Sequence, residues 1–70
     1  MPVSRVTRVI GSSPVSFQEA LEEAMRRAGR SLRGITDLNV VSQRAKVENN
    51  EIREYQMELD ITFMVEDSGK

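Results

Sequence analysis

The sequence contains no cysteine, no histidine and no tryptophan. Without cysteine the chain can form neither disulfides nor thiolate zinc sites. Without histidine it lacks the most common metal ligand and general base, so no serine has an imidazole to activate it. No GxxxxGK[ST] or GxGxxG phosphate loop is present either. We therefore expect a protein that is not an enzyme.

The chain is short, with 70 residues, and we interpret residues 1–70 as a single domain. A domain of this size buries only about 60 % of the surface that its unfolded chain exposes, so a lone core is marginally stable. Such domains usually depend on disulfides, a metal or oligomerisation. Because disulfides and thiolate or imidazole metal sites are excluded, we expect a homo-oligomer.

Charge is nearly balanced, with 10 basic and 11 acidic residues and a net charge of −1. A nucleic-acid-binding protein normally carries a basic surface, because phosphate neutralisation supplies most of its affinity. The basic cluster Arg26, Arg27, Arg30 and Arg33 is interleaved with glutamates, which is typical of a solvated helix face. No apolar run approaches the roughly 20 residues of a membrane span, and the start lacks the apolar segment of a signal peptide. We expect a cytoplasmic protein with no nucleic-acid or membrane partner.

The pattern of apolar residues predicts the order β-α-β-β. Residues 3–10 are rich in β-branched side chains and predict a strand that ends at Gly11, followed by a loop over residues 11–14. Ser16 and Glu19 fit a capping box, and Gly34 predicts the helix stop. Between them, one apolar stripe recurs at helical spacing. It comprises Phe17, Ala20, Leu21, Ala24, Met25, Ala28 and Leu32.

Two further strands, at 36–48 and 51–65, flank a predicted two-residue turn at Asn49 and Asn50. This turn predicts a register in which Leu38 faces Ile61, Val40 faces Leu59 and Ser42 faces Met57. One sheet face is then apolar and receives the helix. A 15-residue strand is about 50 Å long, whereas a helix of 16 residues covers about 24 Å. One helix cannot shield this hairpin, which again favours self-assembly.

The opposite sheet face is polar, and in this register Asp60 lies close to Asp37 and Glu58. Carboxylate oxygens gathered in this way suit calcium or magnesium, so Asp37, Glu58 and Asp60 form a candidate divalent-cation site. No dedicated metal-binding loop holds these groups. We therefore favour the alternative, in which Glu58 and Asp60 pair with arginines of a neighbouring subunit.

Several segments together resemble the dodecin family over residues 4–66. They are the opening strand with GSSP at 11–14, the capped helix ending SLR at 31–33, VSQR at 41–44, and YQMEL at 55–59 with Phe63 beyond it. The resemblance implies an α+β fold in which a three-stranded antiparallel sheet wraps one helix. It also implies a hollow homododecamer of four trimers, which binds flavin for storage or sequestration without turnover.

The same resemblance implies a ligand site for riboflavin or FMN. In the family a tryptophan stacks on the flavin ring and a glutamine hydrogen-bonds it. The glutamine matches Gln56, Arg44 belongs to the same implied set, and Asp37 stands at the position of the tryptophan. We expect flavin binding to be weakened by about 1–3 kcal/mol, the value of base–aromatic stacking. The alternative is an assembly of the same kind that binds a divalent cation or coenzyme A instead.

Overall fold

The computed structural model describes residues 3–65, and these form one helix and three strands. The elements are β1 (Val3–Ser13), α1 (Phe17–Ser31), β2 (Ile35–Glu48) and β3 (Glu51–Val65). The strands make one antiparallel sheet in the order β1-β3-β2, so β3 lies in the centre. The predicted β-α-β-β fold is confirmed. The helix in the described residues is not long and apolar enough to cross a membrane.

The helix begins as predicted at Ser16, whose Oγ accepts a hydrogen bond from the Glu19 amide at 3.0 Å. The second half of the predicted capping box is different. The Glu19 carboxylate accepts from the hydroxyl of Ser13 at 2.7 Å, because β1 carries Ser13 to the start of the helix. At the other end, the Leu32 amide donates to the Ala28 carbonyl at 2.8 Å, and Gly34 has a φ of +70°. The helix therefore ends at Ser31 with its cap at Leu32, two residues before the predicted stop at Gly34.

The first strand runs three residues beyond the predicted end, and the expectation that Gly11 ends it was wrong. Gly11 is buried inside the strand, beneath the helix. A Cβ at this position would overlap the Ala20 carbonyl oxygen and lie 2.8 Å from the Ala24 Cβ. The glycine permits the close approach of helix and strand instead of breaking the strand.

The hairpin between β2 and β3 turns at the predicted residues. Asn49 and Asn50 have φ values of 53° and 62°. Positive φ at both central residues is the requirement of the two-residue turn that matches the twist of a hairpin, and asparagine tolerates it. The predicted pairing of Leu38 with Ile61 and of Val40 with Leu59 is also confirmed.

The predicted register fails beyond Val40, where a bulge interrupts β2. Ser42 lies opposite Glu58 and not opposite Met57 as expected. An extra residue in one strand moves all following side chains to the other face until a second irregularity compensates, here between Lys46 and Val47. The predicted register would place Gln43 and Ala45 on the polar face, but the bulge puts them on the helix side, opposite Met57 and Tyr55 respectively.

The core lies between α1 and the two strands β1 and β3. Leu59 and Ile61 of β3 are fully buried beneath Ala20, Ala24 and Ala28. The subunit measures 57 × 19 × 13 Å, so the sheet extends far beyond the helix, as the predicted lengths require. Many aliphatic side chains remain exposed: Val3, Val6, Ile10, Val15, Val40, Val41, Val47, Ile52 and Val65.

Candidate functional site: the outer sheet face

The candidate site lies on the outer sheet face, which is the face turned away from α1. Alternation along the strands places four rows of side chains across this face, each row taken from β1, β3 and β2 in turn. The rows are Val6–Thr62–Asp37, Arg8–Asp60–Asn39, Ile10–Glu58–Ser42 and Ser12–Gln56–Arg44. All the predicted site residues share this one face.

Gln56 and Arg44 are brought together, since they are direct cross-strand partners. Ser12 flanks Gln56 on the other side and completes a polar row. Sequence reasoning missed Ser12, because β1 was expected to end at Gly11. Asp37 lies opposite Thr62, six residues along β3 from Gln56, or about 20 Å. One subunit therefore does not bring Asp37 to the same ligand as Gln56, and a pocket that used both residues would have to combine subunits.

Ion pairs occupy the two middle rows. The Arg8 guanidinium donates to both oxygens of Asp60, from Nε at 2.8 Å and from Nη2 at 3.1 Å. Its Nη1 lies 3.4 Å from Glu58 Oε2. Glu58 also accepts from the Ser42 hydroxyl at 3.0 Å and lies 3.8 Å from Arg44 Nη1. The pairing of these carboxylates with arginines was expected between subunits, whereas here both arginines belong to the same chain.

These contacts fix the charge state of the Arg8–Asp60 pair. The hydrogen bond and the positive charge of Arg8 lower the pKa of Asp60 below its usual value, although partial desolvation opposes them. The same hydrogen bond raises the pKa of Arg8, with the charges of Asp60 and Glu58 adding to it. Asp60 is therefore ionised at neutral pH and already holds a cationic partner.

The predicted cation ligands Asp37, Glu58 and Asp60 lie in three successive rows of the outer face. Within residues 3–65, no three side chains of the metal-binding types converge closely enough to hold one ion. Binding a cation would require Arg8 to leave the carboxylates, or oxygen ligands from another subunit. The cation site stays a prediction.

Aromatic side chains lie on the other side of the sheet. Tyr55 packs edge-on against Phe17 of the helix, with ring centroids 4.9 Å apart and planes at 76°. Phe63 follows the same alternation as Ile61 and Tyr55, which are helix-facing. The chain has no other aromatic residues. The described outer face thus offers hydrogen-bonding groups and aliphatic side chains, but no ring on which a flat ligand could stack.

Comparison with known proteins gives one consistent family. The family model described as Dodecin matches residues 3–66. A curated relative, the calcium dodecin of Mycobacterium tuberculosis, is 33% identical over 63 residues, covering 90% of this chain and 89% of the relative. The dodecin structure from Streptomyces coelicolor is 31% identical, with a TM-score of 0.90 and 96% of each chain covered. The crystal structure of the M. tuberculosis calcium dodecin, described as having a novel calcium-binding site, matches with a TM-score of 0.80, 33% identity and 94% of each chain covered.

Proposed function

Because the chain belongs to the dodecin family, we propose that it is a non-enzymatic subunit of a homo-oligomeric shell that binds a small ligand on its outer sheet face. The exposed aliphatic side chains and the long uncovered hairpin support assembly, since one subunit cannot bury them. Trimers that combine into a dodecamer are the arrangement implied by the family resemblance. Light scattering of the purified protein tests this, and a folded monomer of 7.9 kDa would contradict it.

Flavin is the first ligand that we propose, with weak affinity. The observation that supports it is the row Ser12–Gln56–Arg44, which aligns a hydroxyl, an amide and a guanidinium across three strands. These groups suit the polar edge of an isoalloxazine ring, which carries both donors and acceptors. Weak affinity follows from the missing aromatic surface. With Asp37 at the stacking position, a carboxylate would also have to lose water against an apolar ring.

Two glutamines on opposite faces of the sheet provide a test of ligand binding at the row Ser12–Gln56–Arg44. Gln56 lies on the outer face, whereas Gln43 faces the helix side opposite Met57. Riboflavin fluorescence should be quenched on titration with the unmodified protein, and Gln56→Ala should weaken the binding about fivefold by deleting a hydrogen bond worth about 1 kcal/mol. Gln43→Ala should leave the affinity unchanged. Equal effects of the two substitutions would place the ligand elsewhere.

A divalent cation is the second candidate ligand. It is supported by the carboxylates of Glu58 and Asp60 on the outer face and by a relative that is named as a calcium dodecin. Here Arg8 competes with the cation for both carboxylates. Calorimetry with Ca²⁺ should show weak binding by the unmodified protein and tighter binding by Arg8→Gln. Arg5→Gln is the matched control, since Arg5 is exposed on the same strand opposite Phe63.

A further inference from the structure

Two irregularities bracket the part of β2 that contains Arg44. Val41 has no cross-strand partner in β3, and Arg53 of β3 has none in β2. Because one extra residue lies in each strand, the two bulges compensate each other, and the pairing immediately on either side of them has the same register. Residues 42–46, between the bulges, pair one residue out of step with the flanking parts of β2. We call residues 42–46 the shifted segment.

A slip of the shifted segment by one residue would remove both bulges and restore a continuous ladder. This slipped register is the one predicted from the sequence pattern. Gln43 would then lie opposite Gln56, and Arg44 would lie opposite Tyr55 on the helix side of the sheet. The row Ser12–Gln56–Arg44, which we call the ligand row, would end in an amide instead of a guanidinium. Since a bulge disrupts the ladder, other contacts must stabilise the observed register.

Glu58 of β3 makes two contacts that exist only in the observed register. Its Oε1 accepts a hydrogen bond from the Ser42 hydroxyl at 3.0 Å and lies 3.8 Å from Arg44 Nη1. Ser42 and Arg44 are two residues apart in the shifted segment, so both lie on the outer face together. A slip by one residue would turn both to the helix side and break both contacts.

The other oxygen of Glu58 is held from β1. Arg8 Nη1 lies 3.4 Å from Glu58 Oε2, and Arg8 is itself fixed by its two hydrogen bonds to Asp60. The Glu58 side chain is only 18% exposed, compared with 54% for Arg44. Because partial burial reduces screening by water, contacts to Glu58 contribute more than those of a fully exposed pair. Glu58 is therefore a fixed acceptor for the shifted segment.

The helix side of the sheet distinguishes less between the two registers. Met57 faces Gln43 in the observed register and would face Ser42 in the slipped one, a polar residue in either case. Ala45 is half-buried opposite Tyr55 and favours the observed register, because an arginine would otherwise take its place. The shifted segment contributes no residue to the core cluster. Its outer-face contacts are therefore the main interactions that fix its register.

We propose that Glu58 is a positioning residue that selects the observed register of β2 through Ser42 and Arg44. It thereby places Arg44, and not Gln43, beside Gln56 in the ligand row. The inference rests on the ligand binding proposed above, and it names the residue that decides whether the ligand row ends in a cation or in an amide. Without the Glu58 carboxylate, the shifted segment slips and the row loses its guanidinium.

Disulfide trapping reports the register directly, because the natural chain has no cysteine. A disulfide needs Cα atoms within about 7 Å and side chains that point toward each other. Lys46→Cys with Glu54→Cys joins partners of the observed register, whereas Ala45→Cys with Glu54→Cys joins partners of the slipped one. Under mild oxidation the chain with Glu58 should form the bridge between positions 46 and 54 and not the bridge between 45 and 54. Glu58→Gln should form the bridge between 45 and 54, identified by mass spectrometry.

Glu51→Gln is the matched control, since it removes the same charge from β3 at an exposed position that makes no ion pair among the described residues. It should form the same bridge as the chain with Glu58. If Glu58→Gln fails to fold, Ser42→Ala deletes the 3.0 Å hydrogen bond alone and should also raise the yield of the bridge between 45 and 54. A pattern of bridges that neither substitution changes would refute the positioning role.

Riboflavin titration of a double-mutant cycle connects the register with the ligand row. Arg44→Gln should weaken binding about tenfold in the chain with Glu58, because a charged hydrogen-bond donor is lost. In the Glu58→Gln background it should change the affinity by less than about twofold, since the slip has already removed Arg44 from the row. Equal effects of Arg44→Gln in the two backgrounds would contradict the proposal. The bridges decide the register even if riboflavin does not bind, an outcome that would refute only the flavin proposal.

Discussion

Arg8 of β1 holds Asp60 of β3 through two parallel hydrogen bonds across the outer sheet face, at 2.8 and 3.1 Å. The two residues are direct cross-strand partners, 52 positions apart in the sequence. This bidentate geometry is the strongest form of an arginine–carboxylate contact. It links the strand that precedes the helix to the last strand, and it occupies a carboxylate that would otherwise be available to a cation.

The Arg8–Asp60 pair should make stability depend on pH in the acidic range. The pKa of Asp60 is lowered in the folded state, so its contribution is present above the unfolded pKa of about 3.9 and lost as the pH falls through the folded pKa. Asp60→Asn should be less stable than the unmodified protein at pH 7, and the difference should shrink below pH 4. Urea denaturation at fixed protein concentration measures this.

Glu51→Gln is the control for that series, because Glu51 makes no ion pair among the described residues. It should retain the pH dependence of the unmodified protein. A difference between Asp60→Asn and the unmodified protein that is the same at pH 7 and pH 3 would show that the ion pair does not carry the effect.

Two glycines should respond in opposite ways to alanine. Gly11→Ala forces a methyl group against the Ala20 carbonyl and the Ala24 Cβ, so we expect a loss of about 1–3 kcal/mol. Gly29 is helical and an added Cβ meets nothing within 4 Å. Gly29→Ala should therefore gain up to about 1 kcal/mol. Thermal denaturation of both variants checks the sign, and a stable Gly11→Ala protein would mean that the helix lies further from β1.

Ser13 and Ser16 at the start of the helix should contribute more to the free energy of unfolding than Ser31 at its end. Ser16→Ala deletes the cap to the Glu19 amide and should cost about 1 kcal/mol. Ser13→Ala should cost about 1–3 kcal/mol, because buried Ser13 donates to Glu19 and accepts from the Val15 amide. Ser31→Ala, at an exposed position, should change stability by less than about 0.5 kcal/mol. Urea denaturation of the three variants would reject the described helix start if their order were reversed.

The fold could be predicted where local chemistry determines it. The cap at Ser16 and the turn at Asn49 and Asn50 each depend on the conformational preferences of a few adjacent residues. The end of β1 could not be predicted in this way, because the same residue, glycine, ends strands and also permits close packing. Only the helix above Gly11 decides between the two roles.

The bulge in β2 had a weak signal in the sequence. Val40 and Val41 are adjacent aliphatic residues that break the alternation, but such a pair is also compatible with a strand buried on both faces. The shift at this point decides that Arg44, and not Gln43, lies beside Gln56. The contact of Arg8 with Asp60 was equally hidden, since the pairing of β1 with β3 spans most of the chain.

Titration of riboflavin with the assembled protein, followed by fluorescence quenching, tests the central claim most directly when the unmodified protein is compared with Asp37→Trp. Because the described outer face has no aromatic ring on which a flavin could stack, we expect weak quenching by the unmodified protein. Asp37→Trp should tighten binding about fivefold to 150-fold, which corresponds to about 1–3 kcal/mol of stacking. Tight binding by the unmodified protein, or no gain from Asp37→Trp in an intact shell, would contradict the account.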